Sequence, residues 1–169
     1  MKIPIVDEND NIICCKDRKD RLPWEITRIT SLWLGNEKSE VLLAQRAFTK
    51  KVHPGLWGPA AAGSVEEGET YDSNVVKEAE EEIGLTGVEF IPWDKLRRSS
   101  SHEYFVQSYI AFTTSDYPLV KQDEEVEAIK WFSKEELFKT LNENPEIFLY
   151  SIKERAEEFF KYADKNKKN

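Results

Sequence analysis

The sequence predicts an α/β fold in which a mixed β-sheet lies between helical layers. Three observations carry that expectation. Strand-like segments stand both before and after one sharply patterned helix at 70–83, and two further helical segments close the chain. No internal repeat or low-complexity linker divides the 169 residues, a length that suits one core. A single domain over 1–169 follows, with 1–22 as an N-terminal hairpin extension and 145–169 as a C-terminal helix with a frayed tail.

In chain order, residues 3–6 and 11–15 flank the turn-rich Asp7-Glu8-Asn9-Asp10 and read as a hairpin, and 17–21 is a charged connector. Segments 25–34 and 41–46 are strand-like, joined through Gly35-Asn36-Glu37-Lys38. Segment 103–113, with Tyr104, Phe105, Val106, Tyr109, Ile110 and Phe112, has the aromatic and β-branched bias of a buried strand, and 126–132 is another. Ser133-Lys134-Glu135-Glu136 has the form of a capping box and starts a short helix that ends before Pro145. A last amphipathic helix over 145–162 turns Ile147 or Phe148, Ile152, Ala156, Phe159 and Phe160 inward, and 164–169 frays.

The helix at 70–83 is the most informative element. Thr70 or Ser73 is its N-cap, and Gly84 suits the left-handed position past its end. Val75 or Val76, Ala79 and Ile83 form its apolar stripe, while Glu78, Glu81 and Glu82 share another. Two carboxylates about 6 Å apart repel by roughly 3 kcal/mol at an effective dielectric near 20. A bound cation or open water makes such a stripe tolerable.

Composition narrows the partners. A net charge of −8 supplies no basic footprint for a nucleic-acid polymer, yet it admits a small phosphorylated substrate whose charge a divalent cation screens. No apolar run approaches a membrane span, and Met1-Lys2-Ile3-Pro4-Ile5-Val6-Asp7 meets an acid too early for a signal peptide. A cytoplasmic protein with no membrane partner is expected. Adjacent Cys14 and Cys15 read as reduced thiols, and His53 and His102 do not complete a zinc site with them.

The segment from Gly63 to Leu85 resembles the Nudix box: Gly, five residues, Glu, seven residues, Arg-Glu, an aliphatic, any residue, Glu-Glu, any residue, Gly, an aliphatic. Gly63, Glu69, Glu78, Glu81, Glu82, Gly84 and Leu85 fall on the pattern, and Lys77 stands in place of its Arg. Val41-Leu42-Leu43-Ala44-Gln45-Arg46 and Pro54-Gly55-Leu56-Trp57 resemble the strand and loop that lead into the box, so the likeness covers at least 27–132. It implies a Nudix-type α/β/α sandwich and a pyrophosphohydrolase that uses Mg²⁺ or Mn²⁺, hard ions that prefer oxygen ligands. Its substrate would be a nucleoside diphosphate linked to another moiety. Glu78, Glu81 and Glu82 would ligate metal, and Glu81, Glu78 and Glu103 are the candidates for general base, with Glu124 and Glu125 behind them. Arg46 is the candidate phosphate-binding residue, and Gly63, Glu69, Lys77 and Gly84 support the motif. An Arg at 77 would grip Glu69 through a planar fork, whereas Lys offers a point charge and looser positioning.

Residues 42–57 with Ser101-His102-Glu103-Tyr104 also resemble the isopentenyl-diphosphate isomerase branch, but Ala62 and Ser64 occupy the positions of that branch's catalytic Cys and metal-binding His. An isomerase-like Nudix hydrolase is the resulting expectation. A Nudix-fold nucleotide-binding or sensor domain without turnover is the second reading, and an isoprenoid-diphosphate-processing enzyme the third. Specificity is expected in the loops 16–23, 50–57 and 93–101, and the N-terminal hairpin is the candidate contact for a homodimer.

Overall fold

The computed structural model describes residues 1–166. The chain begins with an antiparallel hairpin, β1 (Lys2–Val6) and β2 (Ile12–Asp17). Its turn is set by Asp7, whose Oδ1 accepts the backbone N–H groups of Asn9 at 2.8 Å and Asn11 at 2.9 Å, the local bonding that makes Asp a turn former.

The main sheet contains β3 (Thr27–Asn36), β4 (Val41–Arg46), β5 (Trp57–Gly58), β6 (Ala61–Ser64), β7 (Ile91–Ser99), β8 (Glu103–Thr113) and β9 (Val126–Phe132). β3 and β8 run parallel while every other pairing is antiparallel, so the sheet is mixed as expected. Among the described residues three α-helices complete the fold: α1 (Tyr71–Ile83), α2 (Lys134–Glu143) and α3 (Ile152–Asn166).

Alternation along the strands sorts the core into two layers. On one face Leu32, Leu34, Leu42 and Tyr109 pack against Val75, Ala79 and Ile83 of α1. On the other, Trp33, Val41, Leu43 and Ile110 meet Leu137 of α2 and Ile152, Phe159 and Phe160 of α3. Each fully buried Val, Leu, Ile or Phe among these contributes roughly 1.5–3 kcal/mol. Val75 rather than Val76 is the inward residue of its pair. None of the described helices is long and apolar enough to cross a membrane.

One irregularity positions the site. β3 and β4 pair only at Leu34–Leu42 and Gly35–Val41 and then diverge. Below the fork β6 takes the free edge of β3, from Ile29–Ser64 to Leu32–Ala61, and β5 takes that of β4 at Ala44–Gly58 and Gln45–Trp57. The sheet therefore splits between β5 and β6.

Three expectations need correction. The segment 93–101, read as a specificity loop, lies largely within β7, an edge strand bulged between Pro92 and Lys95. Its charged residues suit an edge, as does Pro92, which has no N–H to leave unpaired. The last helix starts at Ile152 rather than at 145. Pro145–Ile147 is one 3-10 turn, after which Phe148 is extended and bridges Trp57, and Leu149 N–H bonds Trp57 O at 2.9 Å. Pairing with β5 thus outcompetes helix in that stretch. The tail expected to fray from 164 is helical through Asn166, and residues 167–169 lie outside the described part.

Candidate active site

The N-terminus of α1 is closed by a reciprocal cap: Thr70 Oγ1 accepts Ser73 N–H at 3.1 Å, and Ser73 Oγ accepts Thr70 N–H at 2.9 Å. With the helix so fixed, Glu78 and Glu82, one turn apart, both reach β6. The Glu78 carboxyl lies directly over Gly63, where a Cβ would come within 2.0 Å of it. Glu82 Oε2 accepts the Ala62 backbone N–H at 3.0 Å. Burial raises the pKa of both acids. For Glu78 the charge of Glu81 adds to the rise, while Lys77 opposes it. Glu82 is pushed up to about 8, by burial first and then by Glu78 and Glu125, against the Ala62 N–H. Glu81 is exposed beside them.

Glu69 and Lys77 form the second part of the site. Lys77 Nζ lies 2.6 Å from Glu69 Oε1, 2.8 Å from Glu66 Oε1 and 3.8 Å from Glu78 Oε1. Burial works against the Lys77 ammonium, but the hydrogen bonds to Glu66 and Glu69 outweigh it and raise its pKa. Burial likewise pushes Glu69 upward, yet Lys77, the Glu66 N–H and Asn74 hold it below the ordinary value. Lys77 is thus engaged with Glu69 as a point charge on one carboxylate oxygen, without the planar fork an Arg would supply.

The far wall arrives from the β8–β9 connection. Gly84 adopts φ +66°, and a Cβ there would stand 3.3 Å from Val120 backbone atoms. This clearance lets Val120 N–H bond Ile83 O at 3.0 Å and Gln122 N–H bond Glu82 O at 2.9 Å, which satisfies two carbonyls at the helix end. Glu125 follows three residues later and is paired with Lys50. The resulting cleft, at the split between β5 and β6, is lined by Gln45, Arg46, Ala62, Glu82, Glu125 and Leu149. Arg46 is braced by its Nε–H bond to Val52 O at 3.1 Å.

Other expected residues lie elsewhere. Thr30 pairs with Gly63 on one side and Gln107 on the other, so Glu103 is four residues down β8 from the level of Gly63. That is about 13 Å along the strand and two strand spacings across. Glu103 is bonded by Ser99 and by Arg97 at 3.1 Å, which lower its pKa. The structure does not bring it to Glu78 and Glu82. His102 sits in the β7–β8 turn, lowered to about 4 by burial and then by Arg21 and Arg18. Trp33 is buried, and Trp57 packs edge-on against Phe132 at 5.6 Å. A groove of 320 Å³ on the α3 side contains none of the box residues. Two of its acids, Asp94 and Glu158, are paired with Arg155, which stacks on its Trp93 at 3.9 Å.

The donor set fits a divalent cation. Glu78, Glu81 and Glu82 offer only carboxylate oxygens, as Mg²⁺ and Mn²⁺ prefer, and such an ion would offset the burial penalty on Glu78 and Glu82. As the side chains stand, no three acidic, histidine or cysteine groups among the described residues are drawn into a finished coordination shell. Glu81 is the exposed member of the three.

Sequence reasoning missed Asn74 altogether and ranked Glu125 low. Asn74 precedes Glu78 by one helical turn, a spacing that could have flagged it. Glu125 carries no local signal, because only docking of its loop on α1 brings it in.

Residues 26–151 match the NUDIX domain family. An uncharacterized Nudix hydrolase of Pseudomonas aeruginosa is 30% identical over 137 residues, covering 77% of each chain. An isopentenyl-diphosphate Δ-isomerase of Corynebacterium diphtheriae is 26% identical over 127 residues, 70% of this chain and 69% of that one. Among solved structures, a Deinococcus radiodurans protein superposes with a TM-score of 0.73 at 21% identity, over 85% of this chain and 90% of its own. The NUDIX domain of Shewanella oneidensis NrtR, crystallised with ADP ribose, gives 0.56 at 19%, over 73% and 82%. At these identities the structures speak for the fold alone, whereas the domain match spans most of the sequence, and on that ground the chain belongs to the Nudix family.

Proposed function

We propose that the protein is a divalent-metal-dependent hydrolase that cleaves the pyrophosphate bond of a nucleoside diphosphate linked to another moiety. The observation that carries this reading is the seating of two partly buried α1 carboxylates, Glu78 over Gly63 and Glu82 on the Ala62 N–H, beside a cleft that also holds Arg46. The ADP ribose held by the Shewanella domain supports the ligand class.

In this reading Glu78, Glu81 and Glu82 hold Mg²⁺ or Mn²⁺, which supplies charge neutralisation and an activated water. Arg46 binds a phosphate at the cleft wall through its guanidinium. Glu81, exposed and adjacent to Glu78, is the preferred general base, with Glu78 next. Glu125 faces Glu82 across the cleft and displaces Glu103, which we place outside the reaction. Lys77 and Glu69 hold the Glu78 end of the helix in position. Free Cys14 and Cys15 suit a reducing cytoplasm, and exposed Ile12 and Ile13 keep the hairpin as the candidate homodimer contact.

A non-cleaving nucleotide binder is the second reading, since the Shewanella domain is known here by what it binds. Isomerisation is disfavoured because Ala62 lines the cleft with a methyl group that has no proton to give. The test is incubation of nucleoside diphosphate derivatives and isoprenoid diphosphates with Mg²⁺ or Mn²⁺, beside a Glu81→Gln/Glu82→Gln control, with products identified by mass. Metal-dependent cleavage absent from the control supports the hydrolase. Binding without cleavage of any compound overturns it.

A further inference from the structure

Glu69 is gripped by two side chains rather than one, with the Glu66 backbone N–H as a further donor to its Oε2 at 2.8 Å. Its Oε1 faces Lys77 Nζ at 2.6 Å, and its Oε2 accepts Asn74 Nδ2–H at 2.8 Å. A single arginine would present two parallel N–H donors to the two oxygens of a carboxylate. Lysine has a strong charge but no fork. Here the amide stands where the missing prong would be.

The orientation of that amide is fixed by its surroundings. Asn74 is fully buried. Its Oδ1 accepts the Thr30 hydroxyl at 2.5 Å, while Nδ2 faces Glu69 Oε2 at 2.8 Å, Glu78 Oε1 at 3.2 Å and Ser64 O at 3.2 Å. All three of those neighbours accept, so only the NH₂ end can point at them, and its two hydrogens are shared among three oxygens. Thr30 is also the strand partner of Gly63. One buried side chain therefore links β3, the Ser64 end of β6, the motif glutamate Glu69 and the carboxyl that lies over Gly63.

We infer that Asn74 and Lys77 act as a divided fork on Glu69, and that Asn74 extends the grip to Glu78 as a positioning residue. Lysine at 77 is then compensated within the chain, and the two positions depend on each other. The consequence for catalysis rests on the hydrolase reading above; the mutual dependence of 74 and 77 does not.

The test is a cycle of Asn74→Ala, Lys77→Arg and the double variant in the full chain. Mn²⁺ binding to the protein alone is read by electron paramagnetic resonance, with kcat and KM measured on any substrate found. Asn74→Ala should weaken Mn²⁺ binding by roughly tenfold or more, as loss of a group that orients metal ligands does. Lys77→Arg should improve Mn²⁺ binding at least about fivefold more in the Asn74→Ala background than in the native chain. A purely structural role for Asn74 predicts no such rescue by Arg, so additive effects overturn the inference. A second check is made without metal and does not depend on the Asn74 or Lys77 variants folding. The side-chain amide resonance of Asn74 should shift in Glu69→Gln, and an unmoved resonance overturns the fork. Coupling of 74 and 77 in a protein that cleaves nothing supports the fork while the hydrolase reading fails.

Discussion

The carboxyl group of Glu78 occupies the space in which a side chain at Gly63 would begin: a Cβ there would lie 2.0 Å from Glu78 Cδ and 2.2 Å from Oε1. Gly63 does not have a positive φ, so the demand for glycine comes from this approach and not from backbone conformation. The obstructing atoms end a flexible side chain, which can move at little cost. Gly63→Ala is therefore expected to spare the fold and displace Glu78, with Tm falling by less than about 4 °C and kcat by about 10²-fold. Thermal melts beside steady-state kinetics decide it; loss of folding, or retained activity, would contradict the placement.

Glu82 makes the metal-free protein sensitive to alkaline pH. Its folded pKa, about 8, lies above the ordinary carboxyl value of 4.5, so the unfolded chain ionises first as pH rises. The favourable contribution is complete below about 4.5 and is lost progressively up to about 8. Glu82→Gln keeps an acceptor for the Ala62 N–H and removes the charge. In chelator-treated protein it is expected to raise Tm at pH 8 by several degrees and to change little at pH 4. Melts across pH check the sign, and an equal effect at both ends would refute the assignment.

The hairpin is pinned through Asp10, buried with φ +65°. Its carboxylate meets Arg28 Nε at 2.7 Å, Lys95 Nζ at 2.6 Å and Tyr71 OH at 3.1 Å. Burial pushes Asp10 upward, but Lys95 and Arg28 outweigh it and leave its pKa below 3.8. Its contribution is present above that value and lost as pH falls through the lower folded pKa. Asp10→Asn is expected to cost roughly 3 kcal/mol at pH 7, with the gap to the native protein closing in strong acid. Urea melts at both pH values measure it.

Glu103 and Glu125 separate the sequence expectation from the geometry. Glu125 lines the cleft with Glu82 and Arg46, while Glu103 is tied to Ser99 and Arg97 at the β7–β8 turn. Glu125→Gln is expected to lower kcat/KM by about tenfold or more, and Glu103→Gln to stay within about threefold of native. The opposite order would restore Glu103 to the site.

How far the sequence was legible depends on whether a signal was local. Helix α1 announced itself because its Thr70–Ser73 cap, its apolar stripe and Gly84 are all encoded within one segment. The acids Glu78 and Glu82 were readable from helical spacing. β7 was missed because an exposed edge strand carrying Asp94, Lys95, Arg97 and Arg98 shows no apolar alternation to distinguish it from a loop. The start of α3 was misplaced because the extended path at Phe148 is chosen by a partner, Trp57, ninety-one residues earlier in the chain. Asn74 was half legible: Glu78 one turn on is a local signal, whereas its bonds to Thr30 and Ser64 are made to other strands and nothing beside it foretells them.

Glu82 is oriented by a main-chain donor, the N–H of Ala62, and that donor is supplied by every residue except proline. The side chain at 62 is consequently uncoupled from the acid it supports while still lining the cleft. New reactive groups can be tried at this position by single substitution without disturbing the carboxylate machinery, so one scaffold can acquire another chemistry by small steps instead of by rebuilding its core.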